Sequence, residues 1–216
     1  MKRISPAGLI VLAAVFFVLF DNLAFFRSVL EVYPASPKNI GFLASLALVL
    51  GSVLAILMTL VSSRYTFKLV LILLLLVAAV AGYFMDNYHT VIDRTMIRNV
   101  FATNVMEATD LLSVRLFLYV LFLGALPSLW VYGVEVKRGA WKAELASRAK
   151  VVAIALALIL LSVFVFSKFY TSFLREHKPL RYRTNPTYVL YSLGRYTHDR
   201  FRDRPGALRP IGDDAK

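Results

Sequence analysis

The sequence predicts an all-α membrane protein, a five-transmembrane-helix bundle with amphipathic interfacial helices at its outer, non-cytoplasmic surface. Three observations predict it. Of 216 residues, 59% are hydrophobic and 18% charged, whereas soluble domains carry about a quarter charged residues. The charges leave runs such as 69–85 and 151–167 free of Lys, Arg, Asp and Glu. Runs of that length cross a bilayer as helices, because lipid offers backbone N–H and C=O groups no partner. Finally, the links between runs alternate between basic and mixed charge.

The five spans fall at 7–30, 40–60, 67–85, 114–134 and 151–167. The first follows Lys2 and Arg3, as a signal peptide would, but runs on past Asp21 and Asn22 without a small-residue cleavage site. It is therefore expected to be retained. A polar pair inside a span must face neighbours or water. Asp21 and Asn22 therefore serve either hydrogen bonding between helices, which is the preferred reading, or substrate entry. Pro127 is expected to kink span four. Tyr65, Trp130, Tyr132 and Trp141 are placed at the inner membrane edge, and Tyr33, Tyr83, Tyr88 and Tyr170 at the outer one, as interfacial belts.

Charge sets the topology. The N-terminus has Lys2 and Arg3, the second link Arg64 and Lys68, and the fourth link Lys137, Arg138, Lys142, Arg148 and Lys150. The first link sets Lys38 against Glu31, and the third sets Arg94 and Arg98 against Asp86, Asp93, Glu107 and Asp110. Basic links stay in the cytoplasm, so the N-terminus is expected inside and the segment after span five outside. That segment is itself basic. Either a span is miscounted or it belongs to a long translocated region, where charge bias matters little; the second reading fits the other links better.

Composition also excludes chemistry. A net charge of +12 and a pI near 10.1 suit nucleic acid in a soluble protein, but spans assign the charge to topology and anionic lipid head groups instead. There is no Cys, and His89, His177 and His198 lack ligand spacing. A complete zinc site within this chain is not expected. Nor is there a glycine-rich phosphate loop or a hydrolase triad.

Two outer stretches are too long and too polar to be plain connectors. The first, 86–113, repeats apolar residues at Ile97, Val100, Phe101, Val105 and Met106, which suits an amphipathic helix at the membrane surface. Asp93 or Thr95 could cap it. Asn99, Thr103 and Glu107 follow at four-residue spacing, one stripe of such a helix, rising about 6 Å per step. Amide, hydroxyl and carboxylate in a row could hold a zwitterionic head group, with Glu107 on an ammonium and Asn99 and Thr103 on phosphate or ester oxygens. Spacing alone equally fits a solvated polar face. The second stretch, 167–201, should hold a short interfacial helix around Phe169, Phe173 and Leu174. HKPLRYRTNP should follow as an extended turn, then a helix around 188–196. Residues 202–216 have linker composition.

The outer loop VIDRTMIRNVFATNVMEATDLLS resembles the periplasmic loop of bacterial phosphoethanolamine–lipid A transferases, the family that includes the mobile colistin-resistance enzymes. HKPLRYRTNP is similar to the family's segment after its fifth span, and RPIGDDAK to the linker before its catalytic domain. The resemblance implies a division into a membrane domain over 1–168, periplasmic bridging helices over 169–201, and a linker over 202–216. It implies a bacterial inner-membrane location and polymyxin resistance. It also implies a further periplasmic catalytic domain with a zinc ion and a nucleophilic threonine, without which this chain is expected to be inactive. It matches Asn99, Thr103 and Glu107 to the family's donor-site residues. The implied partners are phosphatidylethanolamine as donor, lipid A as acceptor, membrane lipids, and the catalytic domain. A transporter or channel fragment and a passive anchor stand as alternatives.

Overall fold

The computed structural model describes residues 3–61, 63, 65–103, 111–137 and 139–202. The described residues form helices and no named strand. The membrane-crossing elements are α1 (Pro6–Phe20) with α2 (Leu23–Val32), α3 (Ile40–Val61), α4 (Phe67–Tyr88), α6 (Val114–Gly133) and α7 (Trp141–Val165). Between α4 and α6 lies α5 (Arg94–Ala102). After α7 come α8 (Ser167–Arg175), α9 (Lys178–Arg181) and α10 (Thr187–Arg202).

The expected first span is two helices meeting at a 57° bend. Ser5 caps α1 by accepting from the Gly8 amide at 3.1 Å, and Pro6 sits in the first turn, where its missing N–H costs nothing. Fifteen residues rise about 22 Å, short of the roughly 30 Å hydrocarbon core. The break therefore falls near one membrane face, and α2 leans away from it.

α4 and α3 are the central helices: 50% and 39% of their spanning windows are buried, against 17% for α6 and 11% for α7. The peripheral pair therefore face lipid over most of their surface. α7 packs chiefly on α3, α3 on α1, and α6 on α4. Leu9, Ile10, Phe17, Phe42, Leu54, Leu71 and Leu75 fill the core between them. α7 starts ten residues before the expected 151, because 141–150 contains no Gly or Pro and is rich in Ala, Lys, Glu and Leu. The kink expected at Pro127 takes the form of a π-helical stretch, Val120–Ala125, just before it. A wider turn absorbs the hydrogen bond that proline cannot donate. Gly124 lies in that stretch against α4: a Cβ there would stand 3.2 Å from Ala79 Cβ and Leu76 Cδ2.

The basic links gather at one end. Ile4 and Val136 form a bridge: the Ile4 amide donates to the Glu135 carbonyl (3.0 Å) and the Lys137 amide to the Ile4 carbonyl (2.9 Å). Arg3 Nε pairs with Glu135 Oε2 at 3.1 Å, and Lys68 Nζ donates to the Tyr132 carbonyl at 2.8 Å. The opposite end carries α2, α5 and α8–α10. There HKPLRYRTNP is not wholly extended: α9 forms within it because Pro179 occupies the first helical turn, the position that tolerates proline. Three of the four outer tyrosines are not belt residues. Tyr33, Tyr83 and Tyr170 are buried and bond Ser172 (3.2 Å), Ser113 (2.8 Å) and Ser45 (3.1 Å). Their hydroxyls found polar partners between helices, so their rings pack inward. Tyr88 and the four inner aromatics are exposed as a belt would be.

Candidate lipid head-group site

The end opposite the basic links is locked by two asparagines far apart in sequence. Asn22 Nδ2 donates to the carbonyls of Phe17 (2.9 Å) and Asn185 (2.6 Å), and its Oδ1 accepts from the Asn185 amide (2.8 Å). Asn185 Nδ2 donates to the carbonyls of Asp21 (3.1 Å) and Ala78 (2.8 Å). The break in the helix leaves the Asp21 carbonyl without an intrahelical partner, and the Asn185 carboxamide satisfies it. Asn22 thus has the interhelix role preferred for it. A Cβ at Gly82 would stand 3.4 Å from Asn185 Nδ2, an ordinary contact, so the turn that carries Asn185 packs directly on α4. Arg183 Nη1 bonds Ser28 Oγ, tying the same turn to α2.

On this floor lies α5. Asp93 Oδ1 accepts from the Met96 amide at 2.8 Å, the N-cap expected for this helix. Ile97 is buried with Ile92, Met85, Ala81, Ala24 and Val189, which anchors α5 to α4, α2 and α10. Arg94 Nη1 pairs with Asp199 Oδ2 on α10. The guanidinium bond holds the Asp199 carboxyl below the usual carboxylate range. Phe101 stacks on Tyr196, ring centres 5.4 Å apart and planes 10° apart. Val100 is 60% exposed, as an interfacial helix leaves its lipid-facing side chains.

Of the three head-group candidates, the structure brings two together. Asn99 is exposed, and the half-buried Thr103 follows one turn later, its Oγ1 donating to the Asn99 carbonyl at 2.7 Å. α5 ends at Ala102, with Thr103 extended at φ −66° and ψ 133°, so the stripe does not continue as one helix through Thr103. Its hydroxyl proton is already spent, which leaves Asn99 Nδ2 as the donor and Thr103 Oγ1 as an acceptor. Glu107, Val105 and Met106 lie outside the described residues, as do 203–216 of the expected linker.

Beside the candidates, Arg94, Thr95, Arg98, Tyr196, Asp199 and Arg200 line an open cavity of about 370 Å³. A second, of about 560 Å³, is lined by Arg181, Tyr182, Tyr188, Tyr191 and Arg195 among others. The Tyr182 and Tyr188 rings stand 4.9 Å apart, and Arg195 Nη1 donates to Tyr191 Oη at 3.3 Å. Burial and then the neighbouring Tyr182 push the Tyr188 hydroxyl up from its ordinary pKa. Sequence reasoning singled out neither this cluster nor Asn185. The Asn-Pro dipeptide at 185–186 signals a turn, but nothing local marks a partner at Asn22. Among the described residues, no three His, Asp or Glu side chains come together to hold a metal. The described residues therefore do not fit a zinc site.

A five-span bundle with a structured polar cap at one end is an integral membrane domain, not a soluble binding module. The description "Phosphoethanolamine transferase EptA/EptB" belongs to a family that residues 50–201 match. The chain is 43% identical over 195 residues to phosphatidylethanolamine transferase Mcr-1 of Escherichia coli, covering 90% of this chain and 36% of that protein. It is 40% identical over 192 residues to Mcr-2 of the same species, covering 89% and 36%. Phosphoethanolamine transferase EptA of Escherichia coli K12 matches at 32% over 209 residues, covering 95% and 38%. In fold, the chain resembles the integral membrane protein lipooligosaccharide phosphoethanolamine transferase A of Neisseria meningitidis. The TM-score is 0.89 at 23% identity, over 94% of this chain and 38% of that one. The chain belongs to the phosphoethanolamine transferase family and corresponds to its N-terminal membrane domain. It spans little more than a third of the length of the curated relatives it matches.

Proposed function

We propose that this chain binds phosphatidylethanolamine and presents its head group for transfer of phosphoethanolamine to lipid A, with the N-terminus in the cytoplasm and α5 and α8–α10 in the periplasm. The observation that carries the reading is the placement of Asn99. Its carboxamide is exposed on a helix that Ile97, Arg94–Asp199 and Phe101–Tyr196 fix to the end of the bundle opposite the basic links.

In this reading Asn99 Nδ2 donates to a phosphate oxygen. Thr103 fixes the carbonyl side of α5, and Glu107 pairs with the ammonium. A hydrogen bond to a charged group contributes about 1.5–3 kcal/mol. Such a clamp fixes the phosphorus and converts a bimolecular encounter into a positioned one. Arg181 and Arg195, set among tyrosines, suit a phosphorylated sugar as acceptor, since guanidinium groups pair with phosphate and tyrosine faces pack on sugar rings. The zinc and nucleophilic threonine implied by the family belong to a further periplasmic domain, and no step of this chain's role runs through them.

In the full-length enzyme, Asn99→Ala and Glu107→Ala should each lower lipid A modification at least tenfold, the loss of one charge-assisted bond, at unchanged protein level. Mass spectrometry of lipid A measures it. Wild-type modification in both variants would remove the donor site from this segment.

A further inference from the structure

We infer that the basic end of the bundle holds a second lipid, an anionic glycerophospholipid of the leaflet on that side, at a site separate from the proposed donor site and independent of it. Two observations at different depths specify the two parts of the ligand. The deeper one is a groove of about 340 Å³, lined throughout by apolar residues of α1, α4 and α6. Leu12, Phe16 and Leu19 of α1 form one wall, at the spacing that shares a helix face. Pro127 and Trp130 of α6 form the other, and Leu75 of α4 belongs to its lining. The groove lies within the hydrocarbon-crossing part of the helices, so its occupant is an acyl chain.

The shallower observation is a cavity of about 640 Å³ at the membrane surface of the same end, lined by Arg3, Lys68, Glu135, Val136 and Lys137. Three cations face one carboxylate, and Arg3 is already paired with Glu135 at 3.1 Å. Lys68 and Lys137 therefore supply the excess positive charge. Lys68 lies on the same face of α4 as Leu75 and two turns before it, about 10 Å along the axis. That is within one leaflet of a bilayer about 40–45 Å thick, so one phospholipid reaches both. Basic pockets between helices at a membrane surface select anionic head groups. A zwitterionic head group would bring its ammonium beside Lys68 and Lys137.

Trp130 reports the groove directly. In the 216-residue chain carrying Trp141→Phe, Trp130 is the one remaining tryptophan. The protein is reconstituted in phosphatidylcholine vesicles containing a minor share of acyl-brominated phosphatidylglycerol, phosphatidylethanolamine or phosphatidylcholine. Quenching of Trp130 should saturate at a fraction of brominated phosphatidylglycerol on the order of tenfold lower than of the other two, the preference two lysines at a membrane surface supply. Lys68→Gln with Lys137→Gln should abolish that preference while helical circular dichroism is unchanged. Equal quenching by all three lipids in the parent chain would overturn the inference, whatever the variants do. So would a preference that survives loss of both lysines.

Discussion

At the scale of single residues, the outer end is stabilised by carboxamides and one ion pair. Asn185→Ala would orphan the Asp21 carbonyl and remove a second bond to the Ala78 carbonyl, which keeps its place in the α4 ladder, at about 1–3 kcal/mol for the orphaned buried group. Thermal unfolding in detergent should therefore begin clearly lower than in the parent, while a surface change such as Thr171→Ala should leave it in place. Asp199 behaves oppositely with pH to a buried acid. Its folded-state pKa lies below the ordinary 3.8 because Arg94 holds the ionised form. A depressed carboxyl contributes stability that is complete above the unfolded value and is lost as pH falls through the folded one. Protection of the α5 amides from hydrogen exchange, taken relative to the intrinsic rate at each pH, should thus be constant at pH 5 and above and fall only below about pH 3.8. Asp199→Asn should remove that acid step.

The element scale shows what periodicity can and cannot read. Spans two to five were visible as long apolar runs with at most one charged residue each, since the bilayer demands nothing subtler. The break in span one was marked by Asp21 and Asn22 but not its angle, because the bend depends on Asn185, 163 positions away. Pro127 announced a disturbed helix, yet the π turn lies before it, where Gly124 lets α6 close on α4. Gly124→Leu should accordingly destabilise by about 1–3 kcal/mol as an overpacked contact, read as a lowered unfolding midpoint. α5 was foreseen from Ile97 and the Asp93 cap. Its pairing with α10 was not, because Arg94–Asp199 and Phe101–Tyr196 join segments about a hundred residues apart. Asn99 and Thr103 were singled out by spacing and by the family resemblance, but only the fold showed that the Thr103 hydroxyl is engaged.

At the scale of the molecule, one bundle separates two chemistries by the thickness of a membrane. One end gathers Arg3, Lys68 and Lys137; the other carries α5, α8 and α10, with Asn99 exposed on α5. The account requires Asn99 to face the side where the phosphoethanolamine acceptor resides. Because the chain has no native cysteine, single substitutions report sidedness cleanly. In intact bacterial spheroplasts, Asn99→Cys should be labelled by a membrane-impermeant maleimide, and Lys142→Cys only after lysis. Labelling of the second and protection of the first would place the candidate head-group residues on the wrong face and contradict the account.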